Sequence, residues 1–250
     1  MRGTSIFFGR IYGTQARRWL KIGSTLLLTG VAISFVSFWA PWYVDNIRAE
    51  NLNYPHCPFG HPCGPGVVEY SNISLGLLEG YGQGVGLPTD DLYESVLPNT
   101  GNLYHTAFAM TEVGSLAGTL AGAFGVARLY RRPRDAPQAT WVPHGLAFAS
   151  AALILMAPIS ILAFQQSAAA TDMGCPSSPL SGTFLFCTLG PAHSFSGGAN
   201  FSSSGWDYSA AWGPCLGWYL AIVAGILVAF GATFVLVGRR WGEPHLTEFM

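Results

Sequence analysis

Between Lys21 and Asp45 the chain runs for 23 residues, 22–44, without a single charge. A helix that crosses roughly 30 Å of hydrocarbon needs about 20 predominantly apolar residues, so this stretch is predicted to be a membrane span. Three more stretches read the same way. Residues 105–127 are interrupted only by Glu112, residues 142–164 lie in the uncharged interval between Asp135 and Asp172, and residues 210–238 are bracketed by Asp207 and Arg239. A chain with four such stretches lacks the polar cover to hide them in water. Only 10% of its residues are charged, against about 25% in an ordinary soluble domain. The balance of 12 Lys and Arg against 13 Asp and Glu also leaves no basic surplus for nucleic-acid binding, and the high hydrophobicity excludes disorder.

Orientation follows from the cations, because short loops rich in Lys and Arg stay in the cytoplasm. Arg2, Arg10, Arg17, Arg18 and Lys21 precede the first span, Arg128, Arg131, Arg132 and Arg134 separate the second from the third, and Arg239 and Arg240 follow the fourth. Arg48 is the one exception. The predicted fold is therefore an all-α integral membrane protein, a four-helix bundle with both ends inside. Its order is a cytoplasmic segment 1–21, a span 22–44, an outer loop 45–104, a span 105–127, a cytoplasmic loop 128–141, a span 142–164, an outer loop 165–209, a span 210–238 and a cytoplasmic end 239–250. A cleaved signal peptide competes for the first stretch. Its 23 residues exceed the roughly 7–15 of a signal core, and Phe38-Trp39-Ala40-Pro41 is a poor cleavage site. Trp39, Trp42, Tyr43, Tyr104, Trp212, Trp218 and Tyr219 are expected at the outer interface, and Trp19, Tyr130, Trp141 and Trp241 at the inner one.

Both outer loops exceed the roughly 12–15 residues of a simple connection. GVVEYSNISLGLLEG has the apolar and β-branched content of short strands, so the two loops are expected to build a small sheet. Four of the five cysteines fall there, Cys57 and Cys63 in the first loop and Cys175 and Cys187 in the second. An even number on the oxidising side predicts two disulfides. Pairing within each loop closes the shorter rings, and pairing between loops is the alternative. Cys215 reads as a small buried apolar residue. The run from His56 to Cys63 offers two imidazoles and two thiols, but its C-x5-C spacing and oxidising location argue against zinc, and no metal or cofactor is expected. Asn72-Ile73-Ser74 and Asn200-Phe201-Ser202 match the glycosylation acceptor pattern.

In lipid, helices associate through small residues that let backbones approach. Gly114, Gly118 and Gly122 form one such ridge, and Gly217, Ala221 and Gly225 another. Pro158 predicts a kink whose freed carbonyls are met by Ser160 or a neighbour. Glu112, the one charge placed inside a span, is expected to face the bundle interior, as interhelical glue or as a proton or ion site, with a water-exposed helix end as the remaining reading.

Four spans, both ends inside, Trp42 and a Cys57/Cys63 pair in a long first outer loop, and a faint Ser74-Leu75-Gly76-Leu77-Leu78 element resemble the claudin, peripheral-myelin and calcium-channel-gamma group, with its Sur7-like relatives. The resemblance implies a structural, adhesion or accessory-subunit role in the plasma membrane, exercised through contact with a protein partner or a second copy by way of the outer loops and the small-residue helix faces. The cysteine pair in the second loop is foreign to claudins. One cysteine pair in each outer loop also resembles the quinone-linked thiol oxidases, which implies an enzymatic alternative, although C-x5-C replaces their C-x-x-C. A small channel or ion-coupled protein using Glu112 is the third reading. The residues favour a role without catalysis: they include no phosphate loop, no Gly-x-Ser-x-Gly elbow and no His-Glu-x-x-His helix.

Overall fold

The structure is a computed structural model, and it describes residues 3–51, 68–84, 91–130, 142–175, 194–203 and 206–242. The elements in chain order are α1 (Gly3–Ser37), β1 (Tyr43–Asn51), β2 (Val68–Leu75), β3 (Gly80–Gly84), α2 (Leu92–Ser95), α3 (Pro98–Tyr130), α4 (Val142–Asp172), β4 (Gly197–Ser203), β5 (Trp206–Pro214) and α5 (Leu216–Gly242). The chain divides into two compact units. One comprises Met1–Phe35, Met110–Met156 and Ala221–Met250, and the other Val36–Ala109 and Ala157–Leu220.

The first unit is helical. Within α1, α4 and α5, the segments Arg17–Ser37, Val142–Asp172 and Leu216–Gly238 are long and apolar enough to cross a membrane. α3 is just as long, at 33 residues, but is diluted by Gly, Thr and Glu112. Glycines set how closely the helices meet. A Cβ on Gly114 would lie 2.9 Å from Ile154 of α4, and one on Gly118 would lie 2.6 Å from both Ser150 of α4 and Val31 of α1. Gly122 faces Leu28 of α1, and Gly225 faces Leu155 of α4. A further close approach is not marked by a spacing-four ridge: α1 and α5 meet backbone to backbone at Gly23 and Gly231, and again where Gly30 faces Ala224 and Val228. Leu27, Val31, Ala121, Ala147, Ile154 and Val228 fill the core between them, and the buried hydroxyls of Ser34 and Ser115 share a 2.8 Å hydrogen bond.

Glu112 corrects one expectation. It lies on the exposed side of α3 beside Val113, Leu116 and Leu120, not in the bundle interior. The reason is helical phase. Tyr104, Ala107, Thr111, Ser115 and Gly118 define the inward stripe at spacings of three and four, and Glu112 is one residue, about 100°, past Thr111 on the 3.6-residue turn.

The second unit is built on a five-stranded antiparallel sheet of order β3-β2-β1-β5-β4. The sheet foreseen for the loops is thus present and larger than GVVEYSNISLGLLEG alone suggests. β1 and β5 occupy the ends of two stretches read as spans: α1 stops at Ser37, well short of residue 44, and α5 begins at Leu216, not residue 210. Pro41 and Pro214 supply the reason, since proline lacks the amide a continuing helix requires and pushes its predecessor into extended backbone. α4 runs unbroken through Pro158 as far as Asp172; the Ser160 hydroxyl donates to Ala157 O at 2.8 Å, and Trp218 Nε1 donates to Pro158 O at 3.0 Å.

The aromatic residues expected at the outer interface divide. Trp42, Tyr43 and Tyr104 are buried core residues, whereas Trp39 is 83% exposed. Trp42 Nε1 donates to Ser37 O at 2.8 Å, and the indole occupies the space a side chain at Gly217 would need.

Candidate functional site

Strand alternation gives the sheet two unlike faces. Along β1, Tyr43, Asp45 and Ala49 are buried while Asn46 and Arg48 are exposed. The register carries this pattern across the sheet: Arg48 lies opposite Tyr70 and Ser209, Glu50 opposite Asp207, and Asn200 opposite Ser209. Arg48 and Glu50 pair at 2.9 Å, and with Asn200, Ser202, Asp207 and Ser209 they line a polar groove of about 390 Å³. Tyr70 and Tyr81 stand on the same face, 57% and 60% exposed. Asn72 and Asn200, the two acceptor-pattern asparagines, are also exposed there.

The opposite face meets the helices of its own unit. Tyr43 and Asp45 of β1, Ile73 and Leu75 of β2, Leu92 of α2, Leu97 and Thr100 at the start of α3, and Gln165, Ala169, Asp172 and Met173 at the end of α4 enclose a cavity of about 150 Å³. Its polar members were placed by local rules. Pro98 opens α3, a position where its missing amide costs nothing. The Asp172 carboxylate then accepts the amides of Asn99 and Thr100, each at 2.8 Å, and Asn99 Nδ2 at 2.7 Å. One helix's last residue thereby caps another's first turn, with its negative charge on the positive end of the helix dipole. Replacing Asp172 by alanine should cost about 2 kcal/mol, and asparagine about half of that. Reversible unfolding in mixed micelles measures both losses, and equal stability of all three proteins would remove the capping role.

α2 is fastened similarly. Asp91 accepts from Tyr93 N and Gly80 N, both at 3.0 Å, and the Tyr93 hydroxyl donates to Gly76 O at 2.6 Å. Burial, with a smaller contribution from Asp91, pushes the Tyr93 hydroxyl well above the usual tyrosine range. Tyr93 rests against Tyr104 and the edge of His105, whose Nε2 lies 3.0 Å from Leu78 O.

Within this frame Asp45 is the unusual residue. It is 6% exposed, Oδ1 has no hydrogen-bond partner among the described residues, and burial raises its carboxyl to about 6. The Tyr43 hydroxyl, Thr100 Oγ1 and Gln165 Oε1 are buried and unpartnered in the same sense. In the sequence Asp45 ends the first uncharged run and opens the acidic outer loop, which by itself does not mark it as buried. Its signal was the period-two register Tyr43, Asp45, Ile47, Ala49, which puts a carboxylate on an otherwise apolar face.

Of the other residues singled out from sequence, Cys175 is disulfide-bonded, Cys57, Cys63 and Cys187 lie outside the described residues, and Cys215 is a free thiol. Among the described residues, no three His, Cys, Asp or Glu side chains gather as metal ligands would. Comparison with known protein families finds no match, and neither does comparison with curated proteins.

Proposed function

We propose that the chain is a four-span protein of the plasma membrane, with both ends in the cytoplasm, that works by protein–protein contact in a structural, adhesion or accessory-subunit role like those of the claudin-like group. The observation that carries this reading is the ordered five-stranded sheet with a polar, tyrosine-bearing exposed face. Exposed tyrosines on a rigid polar surface are what interfaces favour, because they supply contact area at low conformational cost. Three apolar helices of membrane length support the membrane part of the reading. α3 counts as the fourth span because its Ala121 and Ser115 are committed to the same core and hydrogen bonding as those helices. The segregation of eleven of the twelve cations supports the orientation. Glycans on Asn72 or Asn200 would stand on the contact face and limit access to it.

A photo-crosslinking residue at Tyr81, introduced into the full chain in intact cells, should give a discrete adduct with a partner or a second copy. Tyr70→Ser together with Tyr81→Ser should reduce partner binding at least about fivefold at unchanged surface abundance, the loss of roughly 1 kcal/mol that marks an interface residue. No discrete adduct from Tyr81 or Tyr70 would reject the interaction role.

A further inference from the structure

We propose that the cavity beneath β1 and β2 is a binding site for a small organic ammonium ion, a primary amine on an apolar body of about six to eight heavy atoms. Four side chains that line it, Tyr43, Asp45, Thr100 and Gln165, are each at least 94% buried and each holds an oxygen without a partner among the described residues. An unmet buried polar group is costly to leave unpaired, so four around one space point to an occupant that bonds them. The chemistry of the wall selects that occupant. Asp45 Oδ1 and Gln165 Oε1 accept only, the two hydroxyls can accept, and the second carboxylate on the wall, Asp172, is already committed to the amides of α3. The hydroxyls can also donate, but with both oxygens of Asp45 and Gln165 Oε1 on the wall acceptors are in excess, and the carboxylate repels an anion.

An ammonium group offers three donors and the compensating charge. The rest of the lining, Ile73, Leu75, Leu92, Leu97, Ala169 and Met173, is apolar and suits a hydrocarbon body. A dry cavity of about 150 Å³ accommodates benzene, which sets the size of that body. Ordered water is the rival occupant, since it too can bond unmet polar groups, but water would leave the apolar walls unfilled and the buried carboxylate uncompensated. The inference does not rest on the exposed face of the sheet or on any partner there.

The test uses the full chain in detergent micelles at pH 7.5, with benzylamine as the probe and benzyl alcohol and benzoate as neutral and anionic counterparts of the same size. Benzylamine should raise the unfolding temperature saturably and give a calorimetric isotherm, benzyl alcohol should bind at least about tenfold more weakly, and benzoate should give no isotherm. Asp45→Asn should weaken benzylamine binding at least about tenfold, the loss of one charge-assisted contact. Should that variant not fold, Ala169→Leu fills the cavity and is expected to abolish the response. Equal shifts from benzylamine and benzyl alcohol, undiminished binding by Asp45→Asn or Ala169→Leu, or no saturable response would each overturn the proposal and leave a cavity holding water.

Discussion

Replacing Gly231 by leucine is expected to separate α1 from α5 and abolish the folded state in mild detergent. A Cβ at this position would lie 2.7 Å from Leu27 N, 2.8 Å from Gly23 O and 2.9 Å from Leu27 Cβ. Two of these three atoms are backbone, so no side chain can rotate away and the helix axes themselves must part. Inserting extra carbons into a well-packed core typically costs about 1–3 kcal/mol. A leucine against backbone exceeds that range, because the two helices also forfeit the contacts of Gly30 with Ala224 and Val228 and the stacking of Trp19 on Phe234. Gly231→Ala should give an intermediate loss, near the upper end of the same range. Gly145 provides the control, since a Cβ there meets nothing within 4 Å; Gly145→Ala should leave stability unchanged or slightly improved. Size-exclusion profiles and thermal unfolding in detergent measure the series. Wild-type behaviour of Gly231→Leu would mean that α1 and α5 do not pack at this seam.

The second large effect is a pH dependence that Asp45→Asn removes. Burial raises the carboxyl from 3.8 to about 6 on folding, so the folded chain holds the proton more tightly than the unfolded chain. Below about pH 3.8 both forms are protonated, and this group contributes no penalty. As pH rises from there to about 6, the unfolded chain releases the proton and the folded chain does not, so the contribution to stability falls. Above about 6 the full penalty persists, up to about 3 kcal/mol from a difference of roughly two pKa units. Tyr43 on the same strand and Asp172 from α4 are the titratable groups that share its cavity, and Tyr104 of α3 interacts with Tyr43. The tyrosines stay neutral across this window, and Asp172 is retained in both proteins, so subtracting the profiles isolates Asp45. Asp45→Asn should equal the wild type near pH 4 and exceed it by up to that amount near pH 7.5. Parallel unfolding profiles of the two proteins from pH 4 to 7.5 would show that Asp45 is charged and solvated in the folded state.

Part of this architecture was legible in the residues because it rests on solvation. Charge-free runs mark apolar helices whatever they pack against, and three such helices are present. The strand content of GVVEYSNISLGLLEG is a local property and reappears as β2 and the start of β3. Gly114, Gly118 and Gly122 stand at helix contacts because a spacing of four returns to one side of a helix wherever the helix lies.

Where the reading failed, the deciding contact was distant in the chain. Glu112 was assigned inward from its charge alone, whereas the phase of α3 is fixed by residues such as Ser115 meeting Ser34, 81 positions away. Tyr43-Val44 and residues 210–214 are uncharged enough to extend a span, and they become strand because Tyr43 and Val44 find Pro214 and Gly213 as antiparallel neighbours. The Asp45 cavity needs β1, β2, α2, α3 and α4 at once. Composition and charge spacing thus determined that the chain carries helices long and apolar enough to cross a membrane, and roughly where they lie, since hydropathy is a property each segment carries by itself. Which carboxylate is buried, which helices touch and which sheet face stays open were decided only by tertiary structure, because each depends on pairs of residues whose proximity the linear order does not encode.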